Sequence, residues 1–432
     1  MDSIQFSTKS HPRIGLFTDT YRPTVNGISV VVDTLRRTME AAGWEVFIVC
    51  PATRNAKKVL GNDDHIITMP SIKGWPYEEY DVSFFWPPAK RRALAKLDLD
   101  AVMFFTPGQI GQLATLLAEK EHIPIFAQHS TDVVEYIRHY SGGITASFIM
   151  LLTLPFFLRL RGSDWKKWWA ALKPQKSPTK AGQRIIAYGL SIWFMHCDGV
   201  VALSRKTARQ LQALPDGDEL PIATIPVGVD PLPVGAPQAA LNFRKQLGIS
   251  LGDTVLLYAG RISAEKNLDV LIPTLEQVNQ TLPRAKLVFV GDFDYRAKLQ
   301  AKAGQSSAAD NIIFTGKLPR EELGTVYASA DVFMFPSKTD TQGLVLHEAV
   351  GAGLPVVMCD PLVTEVVKHD ENGYIVPDNP EALAQAVLHI VQDPRRTRQF
   401  RLASKQRAAR YSEMVQTKKL LDCIEPVIAA RR

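Results

Sequence analysis

The chain carries little cysteine: four residues in 432, at Cys50, Cys197, Cys359 and Cys423, with no close pair among them. That spacing excludes the usual zinc patterns and offers no disulfide framework, so a reducing compartment is expected. The opening residues, MDSIQFSTKSHPR, contain no apolar stretch of the signal-peptide kind, which points to the cytosol. No apolar run is long and clean enough for the ~18 residues of a membrane span. Low-complexity tracts and internal repeats are also lacking, which sets aside disordered and solenoid classes. What remains is globular: 46% of residues are hydrophobic and 22% charged. A chain of this length exceeds one ordinary core and suits two domains of about 200 residues each. The net charge of +6 keeps anionic partners in view: nucleotides, phosphates, acidic lipid and nucleic acid.

The first strand reads RIGLF, from Arg13 to Phe17, followed by the loop TDTYRPTVNG and a helical pattern from Ile28 to Ala42. Gly43 stops that helix, and WEVFIVC follows as a second strand; similar units recur at LDAVMFF and PIFAQHS. A second alternating series begins near Asp253, with strands TVLLYAG, KLVFVGD, NIIFTG, VFMFPS and PVVMCD. Near-continuous apolar strands between helices predict α/β architecture with doubly wound parallel sheets. The Pro- and Gly-rich stretch PDGDELPIATIPVGVDPLPVGAPQ between the two series reads as a linker. In such sheets a ligand is expected at the carboxyl ends of the strands.

Two segments in the second half carry candidate chemistry. In YAGRISAEKN, Arg261 and Lys266 leave the sheet at its carboxyl edge, where a planar fork and a mobile point charge can hold a diphosphate. The same pair also reads as surface cations on a solvated turn. In DTQGLVLHEA, Gly343 allows close backbone approach, and the free N–H groups of Gln342, Gly343 and Leu344 at a helix start suit phosphate oxygens. Glu348, further along that helix, can accept both ribose hydroxyls, and Asp340 can reach sugar hydroxyls. Asp340 as a helix cap and Glu348 in an ordinary ion pair stay open beside those roles.

The order of the NG loop, a His at a strand end, GRISAEKN and DTQGLVLHE resembles the GT-B glycosyltransferases of family GT4, over nearly the whole chain. The resemblance implies two Rossmann-like doubly wound domains facing across a cleft. Residues 1–221 with the C-terminal helix 412–432 would form the acceptor side, and 222–411 the donor domain. It also implies retention of anomeric configuration with no metal and no cofactor; no DxD-type metal motif stands at a suitable loop. The family commonly places two glutamates eight positions apart in the second motif. Glu348 matches one and Asp340 stands for the other, a difference of one methylene that bears on donor-sugar choice.

In the first half, TVNGI joins strand and helix. Gly27 is either a plain turn glycine or, as the resemblance implies, a neighbour of the donor diphosphate; Asn26 is an acceptor-side candidate. His129 and Asp132 follow the strand PIFA. The resemblance makes His129, with Asp340, Arg261 and Lys266, a catalytic candidate that orients the donor sugar. Asp132 either serves the acceptor or caps the next helix.

From Ile144 to Arg184 the chain is apolar, then aromatic and basic. Eight Lys or Arg stand between Arg159 and Arg184 against one acid, Asp164. Phe156, Phe157, Trp165, Lys166, Lys167, Trp168 and Trp169 are candidates for contact with an anionic membrane surface, where rings sit among headgroups. A buried helix followed by a wet basic loop is the plainer alternative. The segment, with TDTYRPTVNG and DTQGL, is similar to bacterial GT4 enzymes that glycosylate diacylglycerol.

The resulting expectation is transfer of a hexosyl unit, glucose from UDP-glucose, to a lipid hydroxyl at the inner face of the cell membrane. A GT4 transferase with a soluble acceptor, or a catalytically silent membrane-associated GT-B protein, is the alternative. Nucleic-acid binding is not expected, because the positive charge is modest, local and interleaved with apolar runs.

Overall fold

The computed structural model describes residues 11–24, 26–53, 60–73, 81–83, 85–130, 143–233 and 237–431. They form two compact units, Met1–Ile225 with Gln416–Arg432, and Pro226–Val415.

The first unit contains a seven-stranded parallel sheet built from β1 (Arg13–Phe17), β2 (Glu45–Pro51), β3 (Ile66–Met69), β6 (Ala101–Phe104), β7 (Ile125–His129), β8 (Gly199–Ala202) and β9 (Ile222–Thr224). A short antiparallel ribbon, β4 (Ile72–Lys73) with β5 (Asp81–Val82), stands apart from it. The strand order is β3-β2-β1-β6-β7-β8-β9, so the winding reverses between β1 and β6. The strands are mainly apolar, with polar residues such as Arg13, Glu45 and His129 at their ends, because helices cover the sheet. Helix Pro178–Phe194 sends Trp193 into the core, where it stacks on Phe104 at 5.1 Å and donates its indole N–H to Thr115 at 2.8 Å.

The second unit is a six-stranded parallel sheet of β10 (Val255–Ala259), β11 (Lys286–Val290), β12 (Ile312–Gly316), β13 (Val332–Phe335), β14 (Val356–Met358) and β15 (Gly373–Ile375). Strand alternation splits its side chains between two buried layers. Leu256, Tyr258, Phe289, Met334 and Val357 face one layer, and Leu257, Val288, Phe333 and Met358 face the other. The order β12-β11-β10-β13-β14-β15 reverses between β10 and β13.

The stretch expected to be a linker is partly built structure. It contains a 3-10 turn at Gly217–Glu219 and then β9, which pairs with β8 and carries the first unit past the expected boundary at 221. Dense proline hid this strand from the sequence, yet Pro221 contributes only its carbonyl, which accepts from Val200 N at 2.9 Å. An edge strand tolerates proline at its start. The C-terminal helix, Glu413–Arg431, spans the division: its first residues belong to the second unit and the rest to the first, where Thr417 bonds Thr38 at 2.7 Å.

Candidate active site

The reversal between β10 and β13 leaves their two outgoing loops side by side at the carboxyl edge of the second sheet, the place where open α/β sheets bind ligands. Lys266, from the loop after β10, donates to Asp340 Oδ1, from the loop after β13, at 2.8 Å. The other carboxylate oxygen, Asp340 Oδ2, is buried and has no hydrogen-bond partner among the described residues. A second stitch joins the loops where Thr339 Oγ1 donates to the Glu265 carbonyl at 3.2 Å.

Arg261 stands outward from the same loop, its side chain 59% exposed. Its guanidinium lies 5.1 Å over the Phe293 ring, and its nearest acid, Glu265, is 3.9 Å away. The Arg261 carbonyl is fixed from below by the Tyr258 hydroxyl at 2.9 Å; burial pushes that phenol's pKa well above its ordinary value. Backbone packs closely here: a Cβ on Gly291, where φ is 140°, would lie 1.9 Å from the Gly260 carbonyl oxygen. Only glycine fits that contact.

Helix Leu344–Gly351 begins at Gly343 in the left-handed region (φ 69°), and no side chain caps it. The sequence DTQG folds so because a Cβ at Gly343 would press on Leu346 and Phe335 at 3.0 and 3.1 Å. The uncapped N–H groups, including that of Leu344, form an anion-ready terminus. The Gln342 side chain is engaged elsewhere. Its Oε1 accepts from Val227 N at 2.9 Å, while Nε2 donates to Val227 O at 2.7 Å and lies 3.3 Å from His347 Nε2. A donor-contact role for Gln342 is therefore confined to its backbone. Glu348 is buried and doubly held: Arg320 donates to Oε1 at 3.1 Å and the Tyr327 hydroxyl to Oε2 at 2.9 Å. His347 is buried too, and desolvation lowers its pKa to about 4, so it is neutral at physiological pH.

In the first unit, Asn26 caps helix Gly27–Ala41, accepting from Ser29 N at 3.0 Å and donating to Thr20 at 3.0 Å. These two bonds fix the orientation of its amide. Gly27 is exposed, with nothing within 4 Å of a Cβ placed on it, so local packing does not demand glycine there. His129 ends β7, buried, with its ring edge-on to Phe194 at 6.1 Å. Asp132 lies outside the described residues.

Sequence reasoning passed over Asp19, Arg320 and Tyr327. Asp19 sits in the loop after β1, at the reversal of the first sheet, accepting from Thr106 Oγ1 at 2.5 Å and from Ile110 N at 2.9 Å. It supplies from a distance the cap that helix Gln109–Glu121 lacks at Gly108, and burial raises its pKa against those bonds. A cap 91 positions away leaves no local spacing to read.

The aromatic and basic segment folds as helices Gly143–Phe157 and Gly162–Ala171, packed on Pro178–Phe194. Phe156 (83%), Trp169 (63%) and Trp165 (42%) are exposed, with Leu152 and Ile149 beside them in sequence. Phe157 is instead a core residue against Trp193, at 5.0 Å. Trp168 is the bolt between helices, donating to the Leu151 carbonyl at 3.0 Å, and Lys167 is paired with Asp216 at 2.8 Å. These three drop out as surface contacts, because one side of each helix must pack inward. Lys166 is exposed, as are Arg159, Arg161, Lys173, Lys176 and Lys180. The one acid, Asp164, is turned inward to His196 at 3.0 Å. Among the described residues no helix is long and apolar enough to cross a membrane.

An uncapped glycine-led helix and a cation–carboxylate pair at a winding reversal make the carboxyl edge of the second sheet a site suited to an anionic ligand. Residues 25–231 match the family model Glycosyltransferase Family 4, and residues 240–407 match Glycosyl transferases group 1. The chain belongs to the GT4 glycosyltransferases of the GT-B fold. It is 26% identical over 391 residues to the alpha-monoglucosyldiacylglycerol synthase of Acholeplasma laidlawii, covering 88% of this chain and 89% of that enzyme. It is 27% identical over 384 residues to the GDP-mannose-dependent alpha-(1-6)-phosphatidylinositol dimannoside mannosyltransferase of Mycobacterium tuberculosis, covering 88% and 87%. Among solved structures, Anabaena Alr3699/HepE in complex with UDP-glucose superposes with a TM-score of 0.67 at 16% identity, covering 96% of this chain and 100% of that one.

Proposed function

We propose that this glycosyltransferase moves a hexosyl unit, glucose from UDP-glucose, to a lipid hydroxyl such as that of diacylglycerol, with retention and without a metal. The observation that carries the lipid assignment is the exposure of Phe156, Trp165 and Trp169 in a segment of exposed cations, with the segment's one acid turned inward. Exposed large aromatics flanked by Lys and Arg suit the interface of an anionic bilayer. Both relatives named above act on lipid-linked acceptors by their names, which supports the same class here.

In the donor reaction, negative charge grows on the leaving diphosphate. Arg261, Lys266 and the helix N-terminus at Gly343 supply the counter-charge, the part a metal plays elsewhere. Asp340, held by Lys266, offers Oδ2 to a donor-sugar hydroxyl. Glu348 takes the ribose.

The test is a matrix of UDP-glucose, UDP-galactose and GDP-mannose against diacylglycerol in anionic vesicles and against soluble sugars. Product with UDP-glucose and diacylglycerol, of retained configuration and unaffected by chelator, is expected. Transfer only to soluble sugars would overturn the lipid assignment, and a preference for GDP-mannose would overturn the donor.

A further inference from the structure

Tyr327 lies on helix Arg320–Ala328 with its ring wholly buried, 5.7 Å from that of Phe333. Its hydroxyl makes one hydrogen bond among the described residues, the 2.9 Å donation to Glu348 Oε2. Arg320, at the head of the same helix, binds the other oxygen at 3.1 Å. One nine-residue helix therefore grips both oxygens of a carboxylate that projects from a different helix. Burial and the negative charge of Glu348 raise the Tyr327 pKa well above its ordinary value, so the phenol remains a donor across the working range.

We infer that Tyr327 is a positioning residue for nucleotide binding: its hydroxyl locks the Glu348 carboxylate in one orientation, so that the remaining lone pairs meet the ribose hydroxyls. The inference rests on the reading of Glu348 as the ribose acceptor. A glutamate has three rotatable bonds, and each carboxylate oxygen can accept more than one hydrogen bond. With the phenol gone, Oε2 loses its buried donor and the group is free to swing toward Arg320, spoiling the ribose geometry. Arg320 is a poor lock alone, since its side chain is 53% exposed.

Tyr327→Phe keeps the ring and its packing, so the fold is retained and the hydroxyl alone is tested. The measurement is the dissociation constant of UDP and of 2′-deoxy-UDP (or the guanine pair, if that base binds tighter) for wild type, Tyr327→Phe and Glu348→Gln, with donor KM and kcat alongside. Tyr327→Phe is expected to weaken UDP about tenfold, the scale of one hydrogen bond to a charged group. Donor KM should rise in parallel with kcat within about twofold, because the lost contact is made equally in ground and transition states. The preference for UDP over its 2′-deoxy form should shrink. A merely structural tyrosine would lower the melting temperature and leave that preference intact. If Glu348→Gln abolishes the preference while Tyr327→Phe retains it, the role of Tyr327 is overturned and the ribose reading stands. If Glu348→Gln also leaves both constants unchanged, the ribose reading itself fails, and this inference with it.

Discussion

Lys266 and Asp340 stand 74 positions apart in the chain and 2.8 Å apart in space. They meet because β10 and β13 are sheet neighbours although β11 and β12 lie between them in sequence. The pair leaves one carboxylate oxygen buried and, among the described residues, without a partner, a costly arrangement unless a ligand hydroxyl completes it. Under the proposed function, a donor-sugar hydroxyl completes it.

Lys266→Ala is expected to lower kcat/KM by about 2–4 kcal/mol, because a preorganised cation faces charge that grows on the leaving diphosphate. Arg261→Ala should cost a similar amount, although its side chain holds nothing in place locally beyond its stacking on Phe293. Combining Lys266→Ala with Asp340→Asn should show a coupling of about 0.5–3 kcal/mol, as for residues in direct contact. Steady-state kinetics on the nucleotide sugar decides this; strictly additive losses would mean that the ion pair plays no part in turnover.

Gln342→Ala is expected to destabilise the fold by about 2–4 kcal/mol, since it strips partners from both the N–H and the carbonyl of buried Val227. Urea unfolding measures it through the midpoint. Nucleotide affinity should change far less than in Lys266→Ala. A loss of affinity as large as that one would make the Gln342 side chain a ligand contact after all.

Stability should fall in mild acid partly through His347. Its folded pKa, lowered by burial to about 4, lies below the ordinary 6.5. The unfolded chain therefore takes up a proton between those values and the native state does not, so the contribution is fully present above pH 6.5 and is lost as pH falls toward 4. At pH 4.5 this amounts to about 2–3 kcal/mol relative to pH 7.5. Denaturant unfolding at both pH values should show a loss smaller by that amount in His347→Gln, and equal losses in variant and wild type would remove His347 from the acid response.

Vesicle binding should separate into two parts. Replacing Lys166, Lys173 and Lys176 with Ser should weaken association with anionic vesicles about 100-fold at low salt, at roughly 1 kcal/mol per cation, with the effect vanishing as salt screens it. Replacing Phe156 and Trp169 with Ser should instead remove a salt-resistant part. Donor hydrolysis without acceptor should be unchanged in both. Co-sedimentation across a salt series reads the two parts apart, and wild type that stays in solution at low salt would sink the membrane assignment.

Much of this protein was legible in one dimension because the relevant signals are local. Unbroken apolar strands such as VLLYA and VFMF announce burial on both faces, and GRISAEKN and DTQGLVLHE place cations, glycine and carboxylates at strand ends and a helix start. The α/β class, the paired sheets and the second-half motifs follow from such runs. Partnership does not. Lys266 with Asp340, Gln342 with Val227, Asp19 with a remote helix, and Tyr327 with Glu348 all join segments brought together only by the strand order. The same holds for the aromatic segment, where composition marks Phe156 and Phe157 alike. Helical geometry turns neighbouring residues about 100° apart, and packing against Trp193 decides that Phe157 is core while Phe156 faces solvent. Composition and periodicity are properties of a stretch of chain; orientation and pairing arise only when sheets and helices close on one another.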